Sequence, residues 1–107
     1  MKPRRSARHT NPGKRPPPRL LHLNLVRHWF EKIAKGEKKT EYRDATMYWR
    51  RRLEGRSYDL IEFRNGYATD APRMRVQFRG VRRQGRGVNA QYAIRLGRIL
   101  LRPTRRR

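Results

Sequence analysis

Every apolar run with a regular period falls between residues 20 and 101, and this confinement limits what the chain can fold into. About 80 residues bury one modest core, so a single small domain is expected. The flanks are of another kind. Residues 1–19 hold seven Lys/Arg and five of the seven prolines, with no acid, and residues 102–107 add four arginines. Pro16-Pro17-Pro18 favours extended polyproline backbone, and neither flank has apolar periodicity. Both are expected to be disordered basic tails, at 1–19 and 102–107.

The flanks do not account for the charge. Of the formal +22, they supply +11, and residues 20–101 supply the rest from 19 basic and 8 acidic side chains. A domain this basic calls for a polyanionic partner. Nucleic acid fits best, because each neutralised phosphate releases a condensed counterion. RNA is the expected partner, single-stranded or structured, since no recognition helix for a DNA major groove is evident; DNA is the second choice. A membrane partner is not expected, because the chain lacks a basic amphipathic helix and a lipidation motif. No apolar run reaches signal-peptide or transmembrane length. The prolines at 3, 12 and 16–18 would break the amphipathic helix of a transit peptide. There is no cysteine, which removes thiol chemistry and suits the cytoplasm.

Two periods organise the middle. Leu21, Leu23 and Leu25 alternate, predicting a first strand over 20–25 with His22 on its other face. Val26, Trp29, Phe30, Ile33 and Ala34 then follow helical spacing. Asn24 is the expected N-cap, Gly36 the left-handed terminator, and Trp29 and Phe30 are expected in the core. Residues 38–43 read as a short strand. Thr46 caps a second helix in which Trp49 and Leu53 face inward and Arg50, Arg51 and Arg52 face out. Tyr58–Arg64 is a strand closed by an Asn65-Gly66 turn. Met74, Val76 and Phe78 alternate with an outward row of arginines that includes Arg75, a natural nucleic-acid face. Residues 82–87 read as a flexible basic loop, and 92–101 as one or two closing strands. About five strands and two helices predict a small α+β, barrel-like domain.

Chemistry is sparse. The three histidines and the carboxylates show no metal-ligand spacing, no glycine loop has phosphate-cradling context, and neither serine has a histidine partner in sequence. No metal or other cofactor is expected. What remains is the run Gly36 to Arg43, which brings Lys38, Glu41 and Arg43 together around Tyr42. Strand parity puts Glu41 and Arg43 on one face, so Lys38 can join them only from a loop after Gly36. A lysine among cations is suited to act as base or nucleophile. A lysine against a carboxylate is suited to hold phosphate or an oxyanion.

Gly36-x-Lys38-x-x-Glu41-x-Arg43, placed just after an amphipathic helix, resembles the G-x-K-x-x-E-x-R signature of the ASCH (ASC-1 homology) domain family. Tyr42, Tyr48-Trp49, Arg52-Leu53, Asn65-Gly66-Tyr67 and Ala93–Gly97 extend the resemblance over residues 20–101. It implies a PUA-like β-barrel with flanking helices, a cleft lined by the signature, and a role in RNA binding or RNA metabolism. Asn65 and Tyr67 would line that cleft. A short bacterial branch of the family hydrolyses the amide of N4-acetylcytidine with a lysine matching Lys38 and a threonine three residues later. Glu41 stands at that second position here, a departure from that mechanism.

Two main functions are consistent with these residues. One is an RNA-binding module with Lys38, Glu41, Tyr42 and Arg43 in its cleft, and with Arg50, Arg51, Arg52 and Arg75 adding phosphate contacts. The other is a small RNA-processing enzyme, a ribonuclease or an amidohydrolase on a modified nucleoside, using Lys38 and Glu41. A plain polycation would need none of the cleft residues.

Overall fold

The computed structural model describes residues 16–101. Residues 1–15 and 102–107, which hold most of the expected disordered tails, lie outside the described residues. Residues 16–19 have no regular structure, yet Arg19 is tied in. Its amide donates to Asp59 Oδ2 at 2.8 Å, and its carbonyl accepts from the Asp59 and Leu60 amides.

Among the described residues five strands form one curled sheet, β1 (Leu20–Leu25), β2 (Thr40–Asp44), β3 (Leu60–Asn65), β4 (Arg73–Gln84) and β5 (Gln91–Leu101), in the spatial order β1-β3-β4-β5-β2. Only β1 and β3 run parallel. The other pairs are antiparallel. Two helices, α1 (Arg27–Ala34) and α2 (Met47–Leu53), complete the α+β architecture. The long β4–β5 pair changes register between Arg75 and Val81. Such irregularities increase local twist and let a sheet curl.

Alternation in the strands is what builds the core. Leu21, Leu23 and Leu25 of β1 meet Ile61 and Phe63 of β3, Met74 and Val76 of β4, and Tyr92, Ile94 and Leu96 of β5, all buried. Helix α1 packs on β1 and β3 and adds Phe30 and Ile33, while α2 adds Leu53. About 25 cal/mol per Å² of buried apolar surface makes this contiguous cluster the main source of stability.

Several expectations about helix ends and strands need correction. Asn24 does not cap α1: it sits within β1, paired opposite Arg64, and the N-cap is Val26 with no side-chain cap bond. The buried stripe of α1 is narrower than its period, since Val26 and Trp29 are exposed. Residues 82–84 are not a loop. The β4 ladder continues through Arg82↔Ala93, Arg83↔Tyr92 and Gln84↔Gln91. Residues 92–101 belong to one strand, and β3 starts at Leu60, not Tyr58. Tyr58 instead packs edge-on against Phe78, at 5.6 Å between centroids. Thr46 does cap α2, its hydroxyl accepting from the Trp49 amide at 3.3 Å.

One polar link joins α2 to the sheet. The buried Tyr92 donates its hydroxyl to Glu54 Oε2 at 2.5 Å. This hydrogen bond, with smaller help from the Arg50 and Arg83 charges, holds the Glu54 carboxyl below its ordinary value of 4.5, against the opposing effect of desolvation. A depressed carboxyl pKa stabilises the fold above the unfolded value, and that contribution is lost as pH falls through the folded value. Tyr92→Phe is therefore expected to raise the Glu54 titration midpoint towards 4.5, read by carboxyl NMR. It should also make the acid limb of thermal stability shallower than that of the wild type.

Candidate functional site

The site begins at the end of α1. Gly36 has φ +80°, a left-handed value that suits a residue without Cβ. Its amide donates to the Ile33 carbonyl at 2.9 Å, and the Glu37 amide donates to the Lys32 carbonyl at 2.9 Å. This pair of bonds is the Schellman motif. The Lys38 amide also reaches the Lys32 carbonyl, at 3.2 Å. The helix end thus fixes the backbone of Lys38 before β2 starts at Thr40, in the loop position that sequence parity demanded.

Strand β2 supplies the other two signature side chains. Glu41 faces Ile94, and Arg43 faces Tyr92, in the β2–β5 register. The Glu41 side chain is 8% exposed, and two cations saturate it: Lys38 Nζ lies 3.5 Å from Oε1 and Arg43 Nη2 2.9 Å from Oε2. Arg43 Nε also donates to Oε2 at 3.0 Å. A carboxylate removed from water is costly unless its oxygens are paired in this way.

Arg43 has a second task. Its Nη2 donates to the Asn24 carbonyl at 2.9 Å. Strands β1 and β2 lie at opposite ends of the sheet order and do not pair. The guanidinium therefore bridges the open seam of the curled sheet by a side chain, where ladder bonds are missing.

Each signature cation also meets aromatic rings. Lys38 Nζ lies 4.7 Å from the Trp29 centroid and 5.5 Å from that of Tyr42, and Arg43 Cζ lies 5.0 Å from the Trp49 centroid. Arg52 stacks on Tyr48 at 3.6 Å, and Tyr48 meets Trp49 edge-on. Cation–π contacts of this kind hold cations in place while leaving ring surface open. Trp29 and Tyr42 are each 45% exposed. The result is a Lys38 ammonium flanked by two half-exposed rings, beside an Arg43 guanidinium set on the partly buried Trp49.

The expected site residues fall into separate groups. Lys38, Glu41, Tyr42 and Arg43 come together. Asn65 ends β3, where it pairs with Leu25 on the side of β1 turned away from the β1–β2 seam. The Tyr67 side chain is 83% exposed on the β3–β4 connection. Arg50, Arg51 and Arg52 line the exposed side of α2, where Arg50 pairs with Glu54 at 3.4 Å and Arg52 lies over Tyr48.

Arg75 is not a free member of an outward phosphate row. It pairs through Nε with Glu62 Oε1 at 2.9 Å, and Arg73 Nη1 reaches Oε2 of the same buried carboxylate at 3.5 Å. Glu62, placed opposite both His22 and Arg75 in the ladder, needs these cations as counter-charges. Trp29 is the residue whose placement periodicity missed. It lies on the apolar stripe and was expected in the core, but a helical period does not distinguish the centre of a stripe from its open edge.

Among the described residues no group of three or more His, Cys, Asp or Glu side chains is placed to hold a metal ion, and no helix is long and apolar enough to cross a membrane. Comparison with protein-family models, with curated proteins and with solved structures found no match to this chain.

Proposed function

We propose that this chain is an RNA-binding domain of the ASCH type, with a PUA-like barrel, that takes an unstacked base of a single-stranded or looped RNA at the mouth formed by Lys38, Arg43, Trp29 and Tyr42. The observation that carries the reading is the fixing of Lys38 over Trp29 and Tyr42, two rings that remain half exposed, with Arg43 held beside it on the same carboxylate. Proteins that bind single strands combine positive charge with such rings, because every base has a π-face. Glu41 sets the geometry from beneath. Its oxygens are taken by Lys38 and Arg43, so it orients the cations rather than the ligand.

The same contacts weigh against covalent chemistry. An ammonium that serves a carboxylate and two rings is used as a cation, whereas a nucleophilic lysine needs its lone pair free.

The test is titration of a labelled single-stranded RNA with the wild type and Lys38→Met at several salt concentrations. Lys38→Met is expected to weaken binding about tenfold, or ~1.4 kcal/mol. An effect limited to lowering the salt slope by about 0.7, the loss of one phosphate contact to a single strand, would reduce Lys38 to part of a basic surface.

A further inference from the structure

Lys38 and Lys39 are consecutive but serve different places. Lys39 lines a surface groove of about 560 Å³ with Arg79, Arg95 and Arg98. No carboxylate lines this groove. The four cations carry no side-chain ion pair or hydrogen bond among the described residues. That sets them apart from Lys38, Arg43, Arg73 and Arg75, each of which is matched to a buried glutamate.

The groove is built on regular structure. Its floor is the β2–β5 pair, where Thr40 lies opposite Arg95 and the Leu96 amide donates to the Lys39 carbonyl at 3.0 Å. Gly97 sets how closely the β4 side of the groove approaches. A Cβ at that position would collide with Gln77 Oε1 and lie 2.8 Å from Arg79 Cδ. The missing side chain lets Gln77 and Arg79 of β4 lie across β5, and Gln77 Oε1 accepts from the Arg98 amide at 3.4 Å.

Four uncompensated cations on one concave surface repel one another unless an anion enters. We propose that this groove is the phosphodiester track of the domain: it holds the backbone of the strand whose base enters the mouth at Lys38, with Gly36 to Thr40 as the shared wall. The charge pattern fits a run of phosphates rather than a single anion, because the cations come from β2's leading loop, β4 and β5 instead of converging on one point. This inference rests on the RNA-binding reading and assigns the phosphate contacts to a surface other than the signature site.

The test uses the full chain and two probes, a labelled single-stranded oligouridylate and an abasic phosphodiester oligomer of equal length. Arg95→Gln/Arg98→Gln is compared with Arg82→Gln/Arg86→Gln, an equal charge loss on exposed residues outside the groove, and with Trp29→Ala. All five positions are exposed, and circular dichroism melts check that the variants fold. The groove double variant is expected to lower the salt slope by about 1.4, two single-strand phosphate contacts, on both probes. The Arg82/Arg86 variant should leave it unchanged. Trp29→Ala should weaken the oligouridylate alone. Equal slopes for the two double variants, with Trp29→Ala still selective for the base-bearing probe, would overturn the track and leave the RNA-binding reading standing. A Trp29→Ala variant indistinguishable from wild type on both probes, with the groove slope still lost, would overturn the base-binding mouth and leave a phosphate groove. Absence of binding to either probe overturns both.

Discussion

Glu41→Ala is expected to destabilise the domain by about 3–5 kcal/mol, the usual cost of breaking a buried ion pair. Small domains have about 5–15 kcal/mol in total, so the variant should show a much lower urea midpoint with little change in slope. The physical reason is the imbalance left behind. Lys38 and Arg43 are 17% and 18% exposed, and without Glu41 they become two neighbouring cations with little water to screen them. Arg43 would still reach the Asn24 carbonyl, so the seam between β1 and β2 should persist, while Lys38 would lose the carboxylate it is paired with. Glu41→Gln keeps the shape and removes the charge. It should fall between the wild type and Glu41→Ala. A wild-type midpoint for Glu41→Ala would show that the two cations are solvated well enough to need no counter-charge.

Trp29→Ala is expected to lose about 1–3 kcal/mol of affinity for single-stranded RNA, the contribution of one base–aromatic stack, with a much smaller loss of stability. The two effects separate because the indole is 45% exposed and lies outside the buried cluster that contains Phe30 and Ile33. The neighbouring Phe30 provides the control. Phe30→Ala should cost about 3–5 kcal/mol of stability without a specific effect on the folded protein's affinity. If Trp29→Ala binds RNA like the wild type, the open indole face has no base on it, and the charge alone explains binding.

The pair Trp29 and Phe30 also shows how far the sequence can be read. Period 2 in 20–25 and in 73–81 placed strands β1 and the first part of β4 and put Leu21, Leu23, Met74 and Val76 in the core, because alternation reports burial directly. Thr46 was legible as a cap, since its hydroxyl answers a local need of the next amides. Residue type marks Gly36 as a left-handed terminator, but not the Schellman end that delivers Lys38 to Glu41. Asn24 misled because a good capping residue can equally sit in a strand, and here the ladder to Arg64 takes it. The arginine row on β4 looked uniform. Nothing local marks Arg73 and Arg75 as counter-charges, because their carboxylate, Glu62, comes from another strand. The groove around Arg95 and Arg98 was equally invisible: it depends on β2 and β4 both pairing with β5. Spacing reveals which residues share a face, but not which faces meet.

The ends of the sheet carry a further consequence. Strands β1 and β2 have one ladder partner each, so beyond the Arg43–Asn24 bridge each leaves a rim of backbone groups unmatched by another strand of the sheet. Such rims are templates for a strand from another molecule. The formal charge of +22 counters this by mutual repulsion between copies. That protection is conditional, since salt shortens its range to about 3 Å at 1 M and a bound polyanion cancels it locally. Colloidal behaviour is therefore coupled to occupancy: a partner that neutralises one surface without covering the rims lowers the barrier to self-association, so turbidity during titration reports stoichiometry as well as binding.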